Sequence, residues 1–141
     1  MIVHADRAHR RAPHPLHAAM LAGTVPLFLG AVLSDLAYWS SYHVQWSNFS
    51  SWLIAGGLVF AGLALLGAII GRFRAGDGRL PVAYLLLLLA SWILGLGNAF
   101  VHALDAWASM PAGLVLSIIV ALLACAATWI GLSGRRTGDA A

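Results

Sequence analysis

The chain has 141 residues, of which 61% are hydrophobic and 9% charged, and its mean hydropathy is +0.86. A soluble domain needs a charged shell around its core, so this balance excludes one and makes a bilayer the natural solvent. The net charge of +3 comes from arginine alone, and the placement of those arginines speaks for membrane orientation and not for nucleic acid.

Residues 1–13 form a basic tail carrying Arg7, Arg10 and Arg11. A membrane domain over 14–134 follows, with apolar blocks at about 16–42, 49–71, 80–104 and 110–132, and then a short polar tail over 135–141. Each block can cross about 30 Å of hydrocarbon as a helix. The blocks lack the alternation of lipid-facing strands and are too few to close a barrel, so the expected fold is all-α, a four-helix transmembrane bundle. The first block is too long for a signal peptide and lacks a small-residue cleavage pattern, so it is expected to stay as a span.

Arg7, Arg10 and Arg11 precede the first block, Arg72, Arg74 and Arg79 fill the second connection, and Arg135 and Arg136 follow the fourth block. All fall on one side, so the positive-inside rule places both termini in the cytoplasm of a multi-pass protein of a bacterial inner membrane. Trp39, Trp46, Trp52 and Trp107 fall near the opposite, outer interface, where indole rings anchor helices. Gly67 with Gly71, Gly57 with Ala61, and Gly113 with Ser117 are small-residue pairs at the spacing of close helix seams. The lone Cys125 allows no disulfide within the chain and no CxxC site.

The polar residues inside the blocks are few. Asp35 lies about two turns before the outer end of the first block, where an ionised carboxylate without a partner costs several kcal/mol. On the third block Asn98, His102 and Asp105 follow at spacings of four and three, which stacks them on one helical face. By rise per residue Asp35 and Asn98 reach similar depth, and they are expected to meet, as interhelical glue or as a proton site, a quinone contact or a support for a cofactor. A haem b between helices needs two axial imidazoles at one level, and His43 with His102 is the candidate pair, with His17 as the alternative ligand. His14 and His17, at i and i+3 around Pro15, are a weak metal pair and more simply solvate the interfacial turn. No GxSxG, P-loop, HExxH or carboxylate pair occurs, so the chain is not expected to be an enzyme in its own right.

Three stretches carry a family likeness: His14-Pro15-Leu16-His17 with Leu33-Ser34-Asp35-Leu36-Ala37-Tyr38-Trp39, then Trp52-Leu53-Ile54-Ala55-Gly56-Gly57-Leu58-Val59, and most specifically Asn98-Ala99-Phe100-Val101-His102-Ala103-Leu104-Asp105-Ala106-Trp107. They resemble a family of small bacterial membrane proteins, domain-of-unknown-function family 2231. The resemblance implies a four-helix inner-membrane protein found beside or fused to redox modules such as Rieske domains and quinoprotein sugar dehydrogenases. It also implies shared polar positions at His14, His17, Asp35, Asn98, His102 and Asp105. The chain departs from the family pattern early in the third block, where Val82, Ala83 and Tyr84 replace a histidine, and in its short tail after Gly134. The expectation is an accessory, anchor or electron-transfer component of a membrane redox system, with quinone or a membrane or periplasmic redox protein as partner. The alternatives are a cofactor-free structural or assembly subunit and a small transporter or proton pathway titrating at Asp35.

Overall fold

A computed structural model describes residues 15–75 and 82–133, with the side chain of Ala75 left aside. The terminal tails, His14 and Arg79 therefore lie outside the described residues. Four helices are long and apolar enough to cross a membrane: α1 (Pro15–Ser41), α2 (Val44–Ala75), α3 (Val82–His102) and α5 (Ala112–Ser133). A one-turn helix, α4 (Ala106–Ser109), connects α3 to α5.

Two boundaries differ from the sequence expectation in ways that matter. Helix α2 begins at Val44 and not near residue 49, because the polar run Gln45-Trp46-Ser47-Asn48 winds as helix beyond the apolar block. Its 32 residues span about 48 Å, more than the hydrocarbon thickness, so it extends past the lipid core. Only Tyr42 and His43 separate it from α1. Tyr42 takes a left-handed backbone (φ 56°), which turns the chain sharply, and its N–H still donates to the Tyr38 carbonyl at 2.7 Å. Its ring stacks on Trp107 with centroids 5.4 Å apart, which ties this turn to α4.

Helix α3 ends at His102 and does not continue to residue 104. The predicted face from Asn98 through His102 to Asp105 is therefore broken, and Asp105 lies in an exposed connection. The following turn closes through Ala108 and Ser109 N–H groups donating to the Asp105 carbonyl.

Helix α1 packs on α2 and α5, and α3 packs on the same two, so the bundle is a square with α1 and α3 on one diagonal. One end of the core holds Leu21, Ala64, Ala68, Tyr84, Leu88 and Ala127, and its middle holds Phe28, Ala61, Val120, Ala121 and Ala124. Large apolar side chains such as Leu33, Val59, Leu86, Leu122 and Trp129 point outward. In lipid an exposed leucine loses nothing, so close packing and polar contacts must select the interior. Gly57 supplies one such contact: a Cβ there would lie 2.6 Å from the Phe28 ring. Gly71, expected to form a seam with Gly67, has no atom of the described residues within 4 Å of its Cβ position, and neither does Gly97.

Substituting Gly57→Leu should lower stability by about 1–3 kcal/mol, the usual cost of overpacking, while Gly97→Leu should leave it nearly unchanged. Thermal unfolding of the detergent-solubilised protein, followed by circular dichroism, reads both.

Candidate functional site

At the end of the bundle that carries the α1–α2 turn, four helices place polar side chains against one another in an otherwise apolar core. Asp35 on α1 is fully buried, and the His102 side chain on α3 is 1% exposed. They meet across the diagonal, with His102 Nε2 2.9 Å from Asp35 Oδ1. The other carboxylate oxygen, Oδ2, accepts from the Ser117 hydroxyl on α5. Ser117 in turn accepts from Asn98 Nδ2 at 2.8 Å, and His102 Nδ1 lies 3.0 Å from the Asn98 backbone carbonyl. Ser50 on α2 donates to the Ala31 carbonyl at 3.3 Å, and its hydroxyl oxygen lies 3.5 Å from His102 Nε2.

Local sequence makes this arrangement fit. Gly113 on α5 faces the imidazole, and a Cβ there would come 2.7 Å from His102 Cε1, so only glycine leaves room for the ring. Ser117 sits one turn further along the same face, so the Gly113–Ser117 pair, read from sequence as a helix seam, forms the wall behind the histidine. Sequence reasoning put Asp35, Asn98 and His102 in one cluster, but the expected meeting of Asp35 with Asn98 runs through Ser117, which it missed as a site residue along with Ser50. Serines are common in membrane helices, and nothing in their local sequence separates these from the Ser34 and Ser91 hydroxyls, which only bond back to their own helix.

The remaining candidates are elsewhere. Asp105 is exposed in the α3–α4 connection, outside the cluster. His43 is exposed and lines a surface cavity of about 630 Å³ with Gln45, Trp46 and Phe49. As placed, His43 and His102 do not fit an axial pair for haem b: one ring opens to the surface, while both nitrogens of the other are engaged by Asp35 and Asn98. Iron ligation would need an imidazole lone pair freed from those bonds. His17 lies at the opposite end of the bundle, with Nε2 3.0 Å from the Tyr84 hydroxyl on α3 and the ring against Gly67. Tyr84, which the sequence offered only as part of the Val82-Ala83-Tyr84 departure from the family resemblance, is thus the partner of His17 on this helix. Among the described residues no group of three metal-ligating side chains forms.

Trp39, Trp46, Trp52 and Trp107, expected near one membrane interface, are all exposed. Trp92 is different: its Nε1 donates to the Leu58 carbonyl on α2 at 3.2 Å, so it joins two helices.

Two sets of substitutions separate pairing from mere bulk. His102→Ala should destabilise by about 3–5 kcal/mol, because it leaves a buried carboxyl group without its partner. The joint replacement Asp35→Leu with His102→Leu should cost much less than the sum of the single changes, and a double-mutant cycle on unfolding free energies measures that coupling.

The family of predicted membrane proteins described as DUF2231 matches residues 13–134. No curated protein and no solved structure matches the chain.

Proposed function

The chain belongs to the DUF2231 family of predicted membrane proteins, and on that footing we propose that it is an accessory or anchor subunit of a redox system in a bacterial inner membrane, with both termini cytoplasmic. It is a multi-pass helical membrane protein by its four apolar spans. In this reading the redox chemistry belongs to a partner, and the chain itself catalyses no step. The single observation that carries the anchor role is the use of the buried charge-bearing cluster found among the described residues: Asp35 and His102 spend their polar atoms on Ser117, on Asn98 and on each other, bracing three helices. Such a core holds a fixed scaffold in lipid, where packing alone selects weakly among helix arrangements.

The orientation rests on the arginines, of which Arg72 and Arg74 close α2 at the end opposite the Asp35 cluster. At the cluster's end, the stacked Tyr42–Trp107 pair and the Trp46–Phe49 pair form an aromatic rim suited to the outer interface and to a docked periplasmic or membrane redox protein.

Two measurements test this reading. A fluorescent protein fused after Ala141 should mature only if that terminus is cytoplasmic, and a dark but correctly inserted fusion would reverse the orientation. The detergent-purified protein, expressed with ample haem, should show no sharp reduced alpha band on its own while co-purifying from native membranes with a redox-active partner. A band from the isolated chain that vanishes in His102→Ala would replace the anchor reading with a b-type cytochrome.

A further inference from the structure

We infer that the Asp35–His102 pair is a proton-binding site: the two side chains share one resident proton, without which the diagonal contact does not hold, and Asn98 Oδ1 holds a buried water beside it. This goes beyond the anchor role and would stand if that role failed.

The first part follows from which atoms can donate. A backbone carbonyl only accepts, so the contact between the Asn98 carbonyl and His102 Nδ1 places a hydrogen on Nδ1. A neutral imidazole protonated at Nδ1 has a bare Nε2. That bare nitrogen would face Asp35 Oδ1 at 2.9 Å. Two lone pairs at that distance repel, so a hydrogen must lie between them. Either Asp35 is a carboxylic acid donating to a neutral His102, or Asp35 is a carboxylate accepting from an imidazolium. Both descriptions contain the same proton, and both leave the pair with no net charge, which is the condition a membrane interior favours. Ser50 cannot stand in for it, because its hydroxyl proton goes to the Ala31 carbonyl. Ser117 uses its only proton on Asp35 Oδ2, so it supplies no alternative.

Release of the shared proton to water would leave one net negative charge on the pair. The groups around it offer no compensation. Ser34 and Tyr38 on α1, Ser47 and Ser50 on α2, and Gly113 and Ser117 on α5 are neutral. His43, Tyr42 and Asp105 are exposed at the rim, and Arg72 and Arg74 lie at the far end of α2.

The second part rests on an orphan. Asn98 is 1% exposed, and its Oδ1 has no hydrogen-bond donor among the described residues. Reversing the amide does not cure this, because Oδ1 would then face a Ser117 hydroxyl whose proton is already committed, and the NH₂ group would be orphaned instead. A buried carbonyl oxygen without a donor has lost its hydrogen bonds to water and gained none in return, and a water is the ligand whose two protons and small size answer that need. Held there, it lies beside the Ser117 bridge to Asp35, within a few residues of the outer end of α3.

The test uses the full chain in detergent or in lipid nanodiscs. The melting midpoint of the wild type should fall by several degrees as pH is raised through the neutral and alkaline range, since the shared proton is present at low pH and lost at high pH. In Asp35→Asn, whose amide donates to Nε2 without a titrating proton, that fall should disappear. A wild-type midpoint that is flat or rises, or an equal fall in the variant, would overturn the proposal. Should the variant fail to fold, nitrogen NMR of the wild type labelled at histidine and asparagine decides: His102 protonated at Nδ1, and the Asn98 side-chain amide hydrogens in contact with water, are expected. A His102 bare at Nδ1 would overturn the shared proton, and an Asn98 side-chain amide without water contact would overturn the water site.

Discussion

The contact between Asp35 and His102 spans the diagonal of a square bundle, where the two helices are not packing neighbours and the gap between axes is about 11–14 Å, the diagonal of a square whose sides are ordinary helix-packing distances. Lipid supplies no hydrophobic force to close such a gap, because leucine is as well solvated by acyl chains as by other leucines. A polar bond there is worth having because its alternative is a carboxyl group and an imidazole facing hydrocarbon. The same bond fixes the rotation of α1 and α3 about their own axes, since Asp35 and His102 meet in one register only. Ser117 and Asn98 extend that constraint to α5, and Ser50 brings α2 into contact with the same ring.

The opposite end of the bundle is held by a weaker version of the same device. His17 on α1 reaches Tyr84 on α3 along the same diagonal, and the ring rests on Gly67 as His102 rests on Gly113. In each case a glycine on a neighbouring helix removes the Cβ that would fill the space of the imidazole. The two ends differ in charge: a phenol and an imidazole need no ionised form, whereas a carboxyl group does unless a proton stays with it. Between them, Phe28 fills the centre against Gly57, so the apolar middle also depends on a missing side chain.

How much of the site was legible depended on the kind of signal each residue left. Asp35 was visible because a carboxylate inside an apolar block has no innocent place to go, and Asn98 and His102 because a four-residue spacing puts them on one helical face. Asp105 was misplaced on that face, since the spacing assumed a helix that in fact stops at His102. The residues Gln45 to Asn48 were set in a loop because they are polar, yet a helix that leaves the hydrocarbon can continue through water-facing residues without penalty. Ser50 left no signal, Ser117 was legible only as a small seam residue and Tyr84 only as a departure from the family resemblance, because a serine in a membrane helix can equally bond its own backbone and a tyrosine can equally face the interface.

Composition and pattern by themselves determined that this chain lives in a bilayer as helices, because blocks of this length and hydropathy leave the backbone no other way to satisfy its hydrogen bonds away from water. They also determined which side chains could not be left unpaired. The tertiary structure alone decided the partners: which helices are neighbours and which diagonal, that the carboxyl of Asp35 faces the imidazole of His102, and that Ser117 closes the ring. Those choices arise from side-chain length, helix rotation and the positions of three glycines on two helices, quantities that no single stretch of sequence contains.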